Sequence, residues 1–292
     1  MVGTQTKSDS NRLVESAISK VGEIATLPEV TVKIIQIVEN PRSTARDLHE
    51  VIKNDPALSA RLLKVVNSAF YGLPGQISSI DRAIVLLGLS AVKNIAIAAS
   101  MTHLFNSGAT IDGFSGVELW RHSIAVGVAA RLLTAAQGRP TVEESFLAGL
   151  IHDIGLLVQR QVYPREIAQL VARRQADNRQ FCELEREIIG ADHQALGMAL
   201  AGKWRFPRTL CTTIGYHHQP MELAPANREL PALVFLADTL ACRAGIGFSL
   251  TGSCEEPGEE VLQVLGLGSE QVEEVSRALP EQVAVTEAIF SE

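Results

Sequence analysis

Apolar residues recur at three- and four-residue intervals along almost the whole chain, and no run alternates with a period of two. The pattern predicts an all-α fold. It places helices over residues 9–24, 28–40, 44–53, 56–70, 79–87 and 90–106, and then over 116–137, 142–158, 164–177, 182–204, 207–218 and 229–245. A last amphipathic helix falls at 269–290, where Val272, Val275, Leu279 and Val283 keep helical spacing. Start signals agree with these positions. Asp55 followed by Pro56 reads as an N-cap with proline at the first helical position. Ser78 with Asp81, Ser115 with Glu118, and Thr141 with Glu144 have the spacing of a capping box ahead of an apolar run. Gly72, Leu73, Pro74 and Gly75 mark a turn, and Gly88 before Ser90 ends one helix and opens another.

Segment 106–116, with three glycines and few apolar residues, is the expected joint between two lobes. The predicted architecture is a two-lobed helical bundle with an N-terminal helix at 1–21, a first lobe at 22–110, a second lobe at 111–245 and a helical tail at 246–292. No internal repeat is visible. A chain of 292 residues, 46% of them hydrophobic, has enough apolar surface for a substantial core.

Charge and cysteine usage narrow the function classes. A formal net charge of -7 lacks the basic footprint needed for non-specific binding to nucleic acid or anionic membranes. Residues 44–67 pair two short helices across a tight turn, as a DNA-binding helix-turn-helix does, but the acidic balance and apolar second helix make that reading the weakest. Cys182, Cys211, Cys242 and Cys254 form no CxxC pair, which fits reduced thiols filling core space. The first residues carry no apolar leader, and the apolar stretch 83–101 is interrupted by Lys93 and Asn94, so no membrane span is expected and the cytoplasm is the expected compartment.

Candidate chemistry concentrates in the second lobe, which holds His122, His152, His193, His217 and His218, five of the seven histidines. His152 and Asp153 form an adjacent pair near the end of an apolar helix, where a polar dyad is costly unless it has partners. A metal ion supplies them. Glu118 and His122, four residues apart, are expected on one helix face, with Glu118 equally readable as the third residue of a capping box. His217 and His218 close the apolar segment 210–216, and Asp238 sits alone inside LVFLADTLA. His193 follows Asp192 on a polar stretch, where a solvated role competes with ligation, while His49 and His103 fall in the first lobe and read as ordinary side chains. Imidazole and carboxylate donors without cysteine suit one or two divalent transition ions, Fe or Mn before Ni, Co or Zn, and disfavour a structural thiolate zinc site.

The ordered set VELWRHS, GLIHDIG, GADHQALG, YHHQP and FLADTLA resembles the ligand motifs of the HD and HD-GYP metal-dependent phosphohydrolases. LPEVTVKIIQIVEN, VIKNDPALSARLLKVVNSAFYG and SIDRAIVLLGLSAVKNIAI resemble the first lobe of the HDOD domain, a signalling module related to those enzymes. The likeness covers residues 22–245. It implies that Glu118, His122, His152, Asp153, His193, His217, His218 and Asp238 are metal ligands, with Asp153 bridging two ions if the site is active. It also implies a signalling protein or a small nucleotide-like ligand as partner.

Two departures bear on catalysis. The HD-GYP enzymes carry HDIGK, whereas this chain reads HDIGL with Leu156 at the lysine position, and the GYP loop after the double histidine is missing. Arg121, Arg160 and Lys203 are the cations that remain to replace that lysine. The expectation is a regulatory module with a retained metal site and weak or no turnover. The alternative is an active phosphohydrolase of nucleotides or cyclic dinucleotides.

Overall fold

The computed structural model describes residues 2–22, 27–40, 42–68, 71–73, 75–106, 111–177 and 179–290. It is helical throughout, without a strand among those residues beyond an isolated antiparallel bridge between Ile111 and Phe114. In the first lobe, α2 (Glu29–Glu39), α3 (Ala45–Lys53), α4 (Pro56–Val66) and α5 (Ile80–Leu87) gather around α6 (Leu89–Asn106). Helix α6 is apolar on most of its circumference because it also packs on the second lobe, burying Val92, Ile95, Ala96, Ile97, Ala98, Ala99 and Met101.

The second lobe comprises α7 (Gly116–Ala136), α8 (Val142–Ile151), α9 (Ile154–Val162), α10 (Pro164–Ala176), α11 (Phe181–Ile188), α12 (His193–Lys203), α13 (Arg208–Tyr216) and α14 (Glu229–Arg243). Short 3-10 turns at Pro220–Glu222 and Pro225–Asn227 lead from α13 into α14. Helix α7 is its axis, packed by α8 and α14 on two sides and by α16 (Ser269–Phe290) on a third, with α15 (Glu259–Leu265) against α14. Phe290 closes the α16 contact by laying its ring near Trp120 and Phe146, at 5.9 and 6.2 Å between centroids. Helix α1 (Val2–Lys20) also lies on the second lobe, against α12 and α9, where Lys203 Nζ donates to Ile18 O at 3.2 Å.

Local signals held where they were specific. Asp55 accepts from Leu58 N at 2.9 Å with Pro56 at the first helical position. Ser115 Oγ accepts from Glu118 N at 3.3 Å. Ser79, and not Ser78, caps α5, accepting from Arg82 N at 3.2 Å. Thr141 makes no side-chain cap, and its carbonyl instead accepts the Ser145 hydroxyl at 3.2 Å.

Two expected helices are each broken in two. Span 142–158 is interrupted at His152 and Asp153, and span 182–204 at residues 189–192, where Gly190 takes φ 95° and Asp192 starts α12 by accepting from Ala195 N at 2.9 Å. Helix α15 was not anticipated, and α4 ends at Val66, short of the expected 70. Residues 23–24 and 69–70 of the expected helices, Pro74 of the expected turn and 107–110 of the expected joint lie outside the described residues. The rest of that joint is not loose chain, since Ile111 and Phe114 are buried.

Candidate metal centre

The breaks in the second lobe aim the polar side chains. Helix α8 ends on His152, and the chain leaves helical geometry at Asp153 (φ -97°, ψ 17°) before α9 begins. Helix α9 then crosses α12 at van der Waals contact of the backbones. A Cβ on Gly155 would fall 1.9 Å from His193 O and 2.8 Å from Gly197 N, so only glycine fits. Gly149 of α8 meets α7 in the same way, since a Cβ there would fall 2.8 Å from Gly127 Cα. These approaches bring His122 from α7, the His152–Asp153 corner, His193 at the start of α12, His217 and His218 after α13 and Asp238 from α14 to one place.

Asp153 is the hub. Its Oδ1 lies 3.2 Å from His193 Nε2 and 3.5 Å from His217 Nε2, and its Oδ2 lies 3.4 Å from His152 Nε2. His193 Nε2 is 3.3 Å from His217 Nε2 and 3.0 Å from His218 Nε2. On the other side, His122 Nε2 is 3.1 Å from Asp238 Oδ1, and His218 Nδ1 is 3.9 Å from Asp238 Oδ2. All seven side chains are buried except that of His218, which is 12% exposed. Donor atoms of Asp153, His193, His217 and His218 lie within 4.8 Å of one another, as do those of His122, His152 and Asp153. Asp153 belongs to both groups.

The outward ring nitrogens fix the tautomers. Nδ1 of His152 donates to Gly149 O at 2.7 Å, and Nδ1 of His217 to Ile214 O at 2.9 Å, leaving each Nε2 lone pair facing inward. His193 Nδ1 is held by Glu185 Oε2 at 2.8 Å, and Glu185 is itself bound by Gln159 Nε2 at 2.7 Å. That carboxylate–imidazole arrangement orients metal-binding histidines in general. His122 Nε2, His152 Nε2 and Asp153 Oδ1 are buried with no aligned hydrogen-bond partner. Converging lone pairs and an orphaned carboxylate oxygen are costly in a dry interior and are satisfied by a cation, so the residues fit one or two divalent ions.

Electrostatics agree. Burial would raise Asp153, yet His152 and His193 beside it hold its carboxyl well below the usual range. Asp238 is likewise held low, against burial, by His122 and His152. Burial also opposes protonation of His193, but Glu185 and Asp153 outweigh it and push the imidazole up to about 9. Burial, reinforced by its neighbours His217 and His193, drives His218 well below its ordinary value. Two carboxylates stay ionised in a buried site, as ligation requires.

A strap of residues 246–252 closes the centre. Phe248 N donates to Glu118 O at 2.9 Å, Thr251 Oγ1 donates to Asp153 Oδ2 at 3.1 Å, and Arg174 Nε donates to Leu250 O at 3.3 Å. Phe248 stacks edge-on to Phe114 at 5.0 Å. Gly247 and Gly252 let the strap lie directly on the protein. A Cβ would fall 2.4 Å from His122 N at the first and 2.7 Å from Asp238 Oδ2 at the second. Cavities of about 350 and 420 Å³ elsewhere in the second lobe are lined by none of the seven clustered residues.

Seven of the eight expected ligands therefore meet. Glu118 is not among them: it is exposed, one helical turn nearer the start of α7 than the buried His122. His193, the member expected to be solvated, sits at the middle. The replacement cations face elsewhere. Arg160 donates to Phe105 O and Leu104 O at 2.9 and 3.3 Å, Arg121 pairs with Glu287 at 2.8 Å, and Lys203 serves Ile18. Leu156 is fully buried. Sequence reasoning missed Glu185, Thr251 and Cys242, and Cys242 also corrects the expectation of a cysteine-free neighbourhood, since its Sγ lies 3.4 Å from Asp238 Oδ1.

Residues 24–220 match the model of the HDOD domain. The chain is 25% identical, with a TM-score of 0.80, to the crystal structure of an HDOD domain protein with unknown function from Geobacter sulfurreducens, covering 99% of each chain. It is also similar to an uncharacterized protein of Treponema pallidum (strain Nichols), 28% identical over 213 residues, which is 73% of this chain and 41% of that protein. A third likeness is to the uncharacterized protein YuxH of Bacillus subtilis (strain 168), 29% identical over 147 residues, 48% of this chain and 35% of that one. The chain thus spans well under half the length of these two relatives.

Proposed function

The chain belongs to the HDOD domain family, and from that premise we propose that it is a signalling module whose second lobe holds one or two divalent transition ions and turns over little or no substrate. The observation that carries this reading is the strap: Thr251 and Gly252 lie on the carboxylates of Asp153 and Asp238, where an incoming substrate would need room. In this reading Asp153 would serve two positions, one with His193, His217 and His218 and the other with His122 and His152, and Asp238 would support the second. Iron or manganese suits these donors first, with nickel, cobalt or zinc compatible. Such ions supply positive charge and Lewis acidity when bound. The residues supply the rest: fixed lone pairs, two ionised carboxylates and a strap of backbone over them. A centre of that kind ties α7, α8, α9, α12, α13 and α14 together, so ion content sets the rigidity of the lobe that a signalling protein or a small nucleotide-like ligand would meet. With a net charge of -7, nucleic acid is not the expected partner. No helix among the described residues is long and apolar enough to cross a membrane.

The second reading, a working phosphohydrolase of nucleotides or cyclic dinucleotides, is favoured by the ligand set being present in full apart from Glu118. Against it stand the buried Leu156 and the engagement of Arg160 by α6 carbonyls, so neither offers the cluster a cation to stabilise a phosphoryl group. Elemental analysis and turnover separate the two. Metal in the purified protein should fall to background in His152→Ala and Asp153→Ala and persist in Glu118→Ala, while the metal-loaded wild type should leave cyclic dinucleotides intact. Rapid turnover by the wild type would establish the enzyme reading instead.

A further inference from the structure

We propose that Cys242 is a thiolate ligand of the ion held by His122, so that the centre has two chemically different positions, one of nitrogen and oxygen donors and one that includes sulfur. The inference rests on the metal reading of the neighbouring cluster. Cys242 lies one helical turn after Asp238 on α14, and both side chains are buried. Its Sγ is 3.4 Å from Asp238 Oδ1, and the same oxygen is 3.1 Å from His122 Nε2. His122 Nε2 is fully buried and finds no aligned hydrogen-bond partner there, and donor atoms of His122, Asp238 and Cys242 lie within 4.8 Å of one another. Around a tetrahedral ion with bonds of about 2.3 Å to sulfur and about 2.0–2.2 Å to nitrogen and oxygen, neighbouring donors stand roughly 3.3–3.7 Å apart. For a pair that includes sulfur the separation is roughly 3.5–3.7 Å, so the Cys242–Asp238 distance of 3.4 Å falls about 0.1 Å short, and the Asp238–His122 distance of 3.1 Å falls about 0.2 Å short of the lower bound.

The strap completes the enclosure. A Cβ on Gly252 would fall 2.3 Å from Cys242 Sγ and 2.7 and 2.8 Å from the two Asp238 oxygens, so bare backbone covers the three donors. His122 Nδ1 faces Ile246 O at 3.4 Å, which leaves one ring nitrogen for an ion. That nitrogen is shared by the group with His152 and Asp153 and the group with Asp238 and Cys242. A thiophilic divalent ion such as zinc or cobalt is drawn to the second group, whereas the position of Asp153, His193, His217 and His218 contains no sulfur and suits harder ions. On binding, the Cys242 S–H bond breaks, its proton leaves to solvent, and a sulfur–metal bond forms with no change of oxidation state.

Cobalt(II) titration of the whole protein tests this. The wild type should take two equivalents and develop a near-ultraviolet thiolate-to-cobalt charge-transfer band. Cys242→Ser should lose the band and the second equivalent while keeping the visible d–d absorption of the first. Cys182→Ser, which removes the thiol beside Glu185 and His193, should keep the band. X-ray absorption of the zinc-loaded wild type needs no mutant and should show a sulfur scatterer at about 2.3 Å. Two bound equivalents with neither band nor sulfur scatterer would reduce Cys242 to a hydrogen-bond donor for Asp238 and overturn the proposal, as would loss of the band in Cys182→Ser. Absence of any bound cobalt or zinc would overturn the metal reading itself, a separate result.

Discussion

Between α2 and α6 the buried polar side chains among the described residues are Thr31, Lys93 and Ser100, and Lys93, the charged one of these three, donates through Nζ to Ile37 O at 3.2 Å. Between α7 and α14 the chain buries His122, His152, Asp153, Arg160, Glu185, His193, His217 and Asp238. A lobe of the first kind is held by apolar packing, in which truncating a fully buried leucine such as Leu58 or Leu62 costs about 2–5 kcal/mol. A lobe of the second kind removes ionisable groups from water, and that cost is offset by their mutual pairing and, in the proposed function, by a bound cation. The first lobe should therefore be indifferent to metal and to the protonation of histidine, and the second should answer to both.

Backbone contact is where the two lobes should differ most. Gly155→Ala places a methyl group 1.9 Å from His193 O and forces α9 away from α12, an overpacking that should cost about 3 kcal/mol or more and abolish metal retention by displacing Asp153 and His193. Gly75→Ala, in the first lobe, meets nothing within 4 Å and strains only a φ of 77°, for about 1 kcal/mol and no loss of metal. Thermal unfolding and metal content of the two variants measure the contrast. Equal losses would mean that the α9–α12 crossing does not position the site.

How much of this was legible differs between the lobes for a physical reason. Asp55 with Pro56 is a local signal and was read correctly, as was the helical period of α16, because both depend on neighbours in sequence. The helix break at His152 and Asp153 was not, since apolar residues surround it on all sides and the cause, the approach of α12 to Gly155, is non-local. Glu185 was hidden in FCELEREI, where Glu183 and Glu187 are exposed and only Glu185 turns inward to His193. Thr251 and Cys242 gain meaning only when the strap folds back 98 residues in sequence onto Asp153. The ligand types were readable, and their supports were not.

A smaller effect follows from His193. Its imidazole is pushed up to about 9 from the ordinary 6.5, so the metal-free folded state holds a proton that the unfolded chain releases near 6.5. Stability from that proton is fully present below pH 6.5 and is lost as pH rises through about 9. The melting temperature of the metal-free protein should fall across this window. Metal-loaded protein should not show the fall, because the ion takes the proton's place on Nε2. His193→Gln should flatten the metal-free profile, and an unchanged slope in that variant would assign the titration elsewhere.

The smallest effect belongs to the first lobe's own histidine–carboxylate pair. His49 Nδ1 lies 2.6 Å from Asp81 Oδ1, linking α3 to α5, at a distance shorter than any histidine–carboxylate contact in the metal centre. Distance alone would rank it above them. Its side chains are 29% and 67% exposed, however, so water screens the interaction and already solvates both groups when it is broken. His49→Ala should cost about 0.5 kcal/mol, with metal content equal to wild type. His152 makes a longer approach to Asp153, at 3.4 Å, but both groups are fully buried, so its removal takes an imidazole away from an ionised carboxylate that water cannot reach to compensate. Chemical denaturation of the two alanine variants in parallel, with metal measured on each, decides whether burial or distance sets the ranking. A loss at His49 matching that at His152 would show that the lobes do not divide as their buried side chains suggest.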